Sequence, residues 1–325
     1  MNGRERELAA IRHEIPDRIP TDAIAVENQA AIAAHLGIDE QAVLPRLGLD
    51  GRIVSAGYVG EMPEPRDGSR LPAGVPLSEW GTPNTGDYGT ARTYPLAHAQ
   101  SVAEIERYPW PDVAAYDYEG AAAVARALDA EYAVRGPYWR PLFCQVCDLV
   151  GMEQAMILMA LEPTLFEAIL EMVYSQTLAF CERLLAACGP AMPILCLGDD
   201  FATQRGMMIS PEQWRRFLKP RFARLFALGK EAGKFVWFHS CGDITAILPD
   251  LIDIGMDVWE TVQLHALPVS PEWLKREYGR HLTFFGAVST QRLPFVGAAD
   301  VRAEVRARIE VLGEGGGYIC GPDHH

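Results

Sequence analysis

The sequence has no uninterrupted apolar stretch near the ~18 residues of a membrane helix, so it predicts no membrane span. Its opening residues, Met1-Asn2-Gly3-Arg4-Glu5-Arg6-Glu7, are polar, and no apolar core of a signal peptide follows. That pattern points to the cytoplasm. Positive charge is scarce: 29 Lys and Arg stand against 43 Asp and Glu, a formal net charge of −14. So acidic a chain offers no electrostatic footprint for nucleic acid or an anionic membrane. There is no internal repeat and no low-complexity tract. No Gly-rich phosphate loop follows the first predicted strand, which argues against a nucleotide-binding, doubly wound sheet. The 7 cysteines are odd in number and scattered, which fits reduced thiols better than a disulfide framework. Cys144-Gln145-Val146-Cys147 has no second pair and lies in an apolar run, so it reads as core packing rather than a redox or zinc knuckle.

What is present is a core-forming chain: 325 residues, 49% of them apolar. It is expected to fold as a single domain over 1–325. Residues 1–50 read as a helical cap, with a turn over Pro16–Asp22 and an Ala-rich helix from Glu27 to Leu36. Arg52–Val59 reads as a strand. Residues 60–118, rich in Pro and Gly and holding Trp80, Tyr88, Tyr94 and Trp110, are too long for a simple connector. They form an irregular excursion, either surface elaboration or a lid facing substrate.

From 119 to 325 the pattern alternates. Strands are expected at Tyr132–Gly136, Pro193–Asp200, Phe235–His239, Met256–Gln263, Leu282–Val288 and Gly317–Cys320. Between them fall helices at Ala121–Ala130, Leu161–Cys188, from Ser210, over Asp243–Ile252, from Pro271 and over Ala298–Leu312. Ser210-Pro211-Glu212-Gln213 is a capping box with Pro at the first helical position, and Pro220 should kink the helix that follows. This alternation requires parallel strands with right-handed crossovers. About eight strands favour an α/β, (β/α)8 TIM-type barrel over an open sheet.

In such a barrel, chemistry gathers where strands end and helices begin. Phe235-Val236-Trp237-Phe238 is an apolar strand, with Phe235 expected in the core, that ends in His239-Ser240-Cys241-Gly242. Side chains two apart on a strand point the same way. Imidazole nitrogen and thiolate sulfur suit Zn²⁺. Other polar residues at predicted strand ends are Asp199, Asp200, Glu260, Gln263, Ser289, Cys320 and His324. One acid of the Asp199-Asp200 pair should satisfy backbone donors; Asp199 is the candidate for orienting a substrate. Glu260 ends a buried strand and needs a partner there. It is read either as a fourth, displaceable zinc ligand or as the acceptor that holds His239 in one tautomer.

The His239-Ser240-Cys241-Gly242 stretch resembles the zinc signature of the corrinoid-dependent methyltransferases in the uroporphyrinogen decarboxylase superfamily. Pro16-Asp17-Arg18-Ile19-Pro20, Gly198-Asp199-Asp200, Met208-Ile209-Ser210-Pro211 and Gly316-Gly317-Tyr318-Ile319 are similar to other segments of that superfamily. The resemblance implies a TIM-type barrel with zinc held by His-x-Cys and a third ligand far along the chain. Cys320 and His324 both lie at about the right distance, Cys320 favoured by its chemistry and His324 by its place after Pro322. It further implies methyl transfer between methylcobalamin, carried by a separate corrinoid protein, and a small acceptor or donor such as a thiol, folate or methyl ether. Two other readings stay open: a metal-free decarboxylase of a carboxylated substrate, and a non-catalytic relative that binds metal or corrinoid. The Arg-rich N-terminal motif of true decarboxylases is not reproduced around Arg18.

Overall fold

A computed structural model describes residues 1–64, 75–83 and 94–324. Seven parallel strands form one curled sheet: β1 Gly51–Ile53, β2 Ala133–Pro137, β3 Ile194–Gly198, β4 Phe235–His239, β5 Val258–Val262, β6 Thr283–Val288 and β7 Tyr318–Pro322. They neighbour one another in chain order, β1 to β7, as right-handed β–α–β crossovers require. Closure comes from the N-terminal segment. Cys320 N–H donates to the Pro20 carbonyl and Asp22 N–H to the Cys320 carbonyl, while Asp50 N–H donates to the Thr21 carbonyl. Thr21 therefore bridges β7 to the residue before β1, and the α/β barrel has the eighth stave the alternation demands.

Strand residues alternate between two cores. Ala133, Ile194, Cys196, Trp237, Val258, Phe285 and Ile319 form one cluster with Leu8, Ala10 and Ile11 of the Gly3–Ile11 helix. That set, one face of β2 to β7, fills the barrel interior, and the helix plugs its lower end. Val134, Leu195, Leu197, Val236, Phe238, Trp259, Phe284, Tyr318 and Cys320 face outward, into the layer shared with the surrounding helices.

Most elements fall where the pattern put them. The Pro163–Cys188 helix begins at its proline and ends at Gly189, and Ala298–Leu312 matches to the residue. The Ser210 capping box is present, both reciprocal bonds made. Four expectations need correction. The strand expected over Arg52–Val59 shortens to Gly51–Ile53. Pro220 separates two helices, Pro211–Phe217 and Lys219–Glu231, rather than kinking one, because a proline is best tolerated in a helix's first turn. Asp243–Ile247 is a turn, and helix begins only at Leu248. Phe235 is half-buried at the barrel's lower end, with the Arg12 guanidinium 6.0 Å from its ring centroid.

Within the excursion, the described part builds an aromatic cluster: Tyr108 lies 4.9 Å from Trp110, and Tyr116 packs 4.8 Å from Phe180 of the long helix. Tyr88 lies outside the described residues. Cys144 and Cys147 are buried on one helix, as core packing requires. No single helix among the described residues is long and apolar enough to cross a membrane.

Candidate metal centre

Trp237 faces the barrel interior, so His239, two residues on, faces it too, at the upper rim where β4 ends. The chain then turns through Gly242, whose φ of +78° suits a residue without Cβ. This turn brings Cys241 Sγ to 3.5 Å from His239 Nε2. His324, two residues past the end of β7, completes the group: the nearest donor atoms of His239, Cys241 and His324 lie within 4.8 Å of one another. Donors sharing one tetrahedral zinc stand roughly 3.3–3.8 Å apart, given bonds of ~2.0–2.3 Å. The His239–Cys241 pair is already at that spacing. Two imidazoles and a thiol are a donor set zinc favours, and three protein ligands leave a fourth position open. Beside the thiol opens a cavity of about 440 Å³, lined by Cys241, His324, Gln204, Gln263 and Thr290 among others.

The other face of His239 is held from below. Its Nδ1 is 2.8 Å from Glu260 Oε1, and Trp237 Nε1 donates to Glu260 Oε2. Glu260 is completely buried. Burial alone would push its carboxyl up, but the hydrogen bond and charge of His239 outweigh burial and hold it below its ordinary range. Burial would likewise depress His239; hydrogen bonding to Cys241 and Glu260 overrides that and raises it. In that arrangement Nδ1 is the nitrogen turned toward Glu260, and Nε2 is the one that faces Cys241. Tyr138, itself in the left-handed region at φ +82°, packs at 5.9 Å and Trp139 at 5.6 Å from the imidazole centroid. Trp139 fits because residue 198 is glycine: a Cβ there would lie 2.8 Å from the indole.

Three expected site residues lie outside the donor group among the described residues. Glu260 is outside the donor group, and its two oxygens meet His239 and Trp237, the second of the two arrangements expected for it. Cys320 is outside it too: it shares the outward face with Tyr318 while Ile319 points inward. Asp199 is completely buried and accepts the N–H groups of Leu142, Phe143 and Cys144, capping the Phe143–Val150 helix rather than facing a substrate. Its neighbour Asp200 is the acid at the site. Asp200 Oδ1 accepts the Cys241 N–H at 2.8 Å and stands 3.7 Å from His239 Nε2. Gln263 Oε1 accepts the Gly242 N–H and so fixes the same turn.

The match to known proteins is consistent with this architecture. The family model described as uroporphyrinogen decarboxylase matches residues 87–325. Among solved structures, the chain superposes on a methyltransferase from Methanosarcina mazei with a TM-score of 0.64 at 18% sequence identity, over 100% of this chain and 93% of that one. At that identity the likeness speaks for the fold. No curated protein matches the sequence. With nearly three-quarters of its length matched, the chain belongs to the uroporphyrinogen decarboxylase family.

Proposed function

We propose that this chain is a zinc-dependent methyltransferase that moves a methyl group between a corrinoid carried by a separate protein and a small acceptor or donor. One observation carries the reading: His239, Cys241 and His324 converge at the barrel mouth, beside an open cavity. These three residues would hold the ion. Bound there, zinc would supply Lewis acidity that makes a coordinated thiol or hydroxyl a nucleophile near neutral pH.

The chain's own residues prepare that position. Glu260 keeps the Nδ1 proton of His239 and leaves Nε2 as donor. Asp200 and Gln263 pin the backbone of Cys241 and Gly242, so the thiol is presented at a fixed angle. Trp139 and Tyr138 shield the imidazole at its edges. Gln204, Gln263 and Thr290 offer uncharged hydrogen-bonding groups to whatever enters the cavity.

The decarboxylase reading needs a free cation to grip a substrate carboxylate. The guanidinium inside the barrel, Arg135, is already paired with Asp22 and lies 3.6 Å from Glu7. The test is methyl transfer from free methylcobalamin to a panel of thiols, run with and without zinc. Zinc-dependent demethylation of the corrinoid supports the proposal; zinc-independent release of carbon dioxide from a carboxylated substrate favours the alternative.

A further inference from the structure

We infer that Asp323 is a positioning residue for the metal centre, acting through His324; the inference rests on the metal-site reading above. Asp323 is 1% exposed, although it lies one residue past the last strand. It gathers three neighbouring segments. Its N–H donates to the Val288 carbonyl at 2.8 Å, continuing the β6–β7 ladder past Pro322. Its Oδ1 accepts both the N–H of Thr290, at 3.0 Å, and the Thr290 hydroxyl, at 2.7 Å. Its Oδ2 stands 3.3 Å from His265 Nδ1, in the segment after β5, without the alignment of a hydrogen bond.

The backbone beneath it is shaped for this contact. Gly286 has φ +101°, and a Cβ there would lie 3.2 Å from the Asp323 Cα. A residue with a Cβ would be strained at that φ and would crowd the Asp323 backbone by a few tenths of an ångström. Thr290 lines the same cavity as Cys241 and His324. The carboxylate thus ties the segment carrying His324 to the loop after β6 and stands beside the loop after β5. These bonds fix the backbone next to His324, which has to be held in place if its ring is to share an ion with His239 and Cys241. Buried carboxylates that orient metal-binding residues commonly govern affinity 10–100-fold.

The test measures zinc affinity by chelator competition and the spectrum of the cobalt-substituted protein. Asp323→Ala should weaken zinc at least tenfold and give a cobalt spectrum matching His324→Ala, with one nitrogen donor lost. In a His324→Ala background the same change should cost nothing further. Thr290→Val, which removes one contact and leaves the carboxylate, should weaken zinc less while preserving the fold. Asp323→Asn, which keeps an acceptor oxygen, should recover most of the affinity. A merely structural Asp323 would lower thermal stability and leave zinc affinity and the cobalt spectrum unchanged, which would overturn the inference. Equal losses in the His324→Ala background would overturn it as well. Absence of zinc binding by the unsubstituted protein would instead overturn the metal-site reading, and this inference with it.

Discussion

His239 Nδ1 lies 2.8 Å from Glu260 Oε1, on the adjacent strand, in register with it. The pair is a product of strand parity. Trp237 and Val258 point into the barrel, so the residues two further along each strand do as well. A buried carboxylate without a partner would be costly, and here both oxygens are engaged. The relationship makes Glu260 the support of the imidazole in the proposed metal group.

Glu260→Gln should therefore weaken zinc binding by roughly 10–100-fold. Trp237→Phe, which removes the other hydrogen bond to Glu260, should weaken it less. Chelator competition on the purified variants measures both.

The third ligand can be assigned by a pair of variants. His324→Ala should lower zinc affinity sharply. Cys320→Ala should leave it unchanged and cost about 1 kcal/mol of stability as an outward-facing core residue is trimmed. Zinc loss in Cys320→Ala would return the assignment to the thiol.

These residues show how much the sequence discloses and where it stops. The barrel and the His239–Cys241 pair were legible because a strand's apolar run and its abrupt polar end are local signals. Cys320 against His324 was not, since the two share strand parity: Cys320 lies within β7 on its outward face, whereas His324 lies past the strand's end, where alternation no longer says which way a side chain points. The same parity separates Asp199, turned out to cap a helix, from Asp200, turned toward the site. Nor was the eighth stave legible. It is a single residue, Thr21, and has no periodicity to detect.

Asp199→Ala should test the helix-capping role. Three amide donors of the Phe143–Val150 helix and the turn before it would lose their acceptor. Stability should fall by about 2 kcal/mol or more in urea titration. Zinc affinity should persist, as it would not for a residue that holds the metal.

A pH dependence follows from Asp148 on that helix. Burial raises its carboxyl to about 6, against an ordinary value of 3.8. Between those values the folded chain holds a proton the unfolded chain has released, so this group's contribution to stability falls as pH rises through the window, and is flat above it. Asp148→Asn removes that loss. The variant should gain up to about 3 kcal/mol over the parent at pH 8 and nothing at pH 3. Paired urea titrations at the two pH values measure the difference.

The most direct measurement is the metal content of the purified protein together with X-ray absorption at the zinc edge. One zinc per chain is expected, bonded to two nitrogens and one sulfur from the protein, and lost in His239→Ala and Cys241→Ala. A protein that takes up no stoichiometric zinc, or holds it with an unchanged edge spectrum after both substitutions, would contradict the metal-site reading.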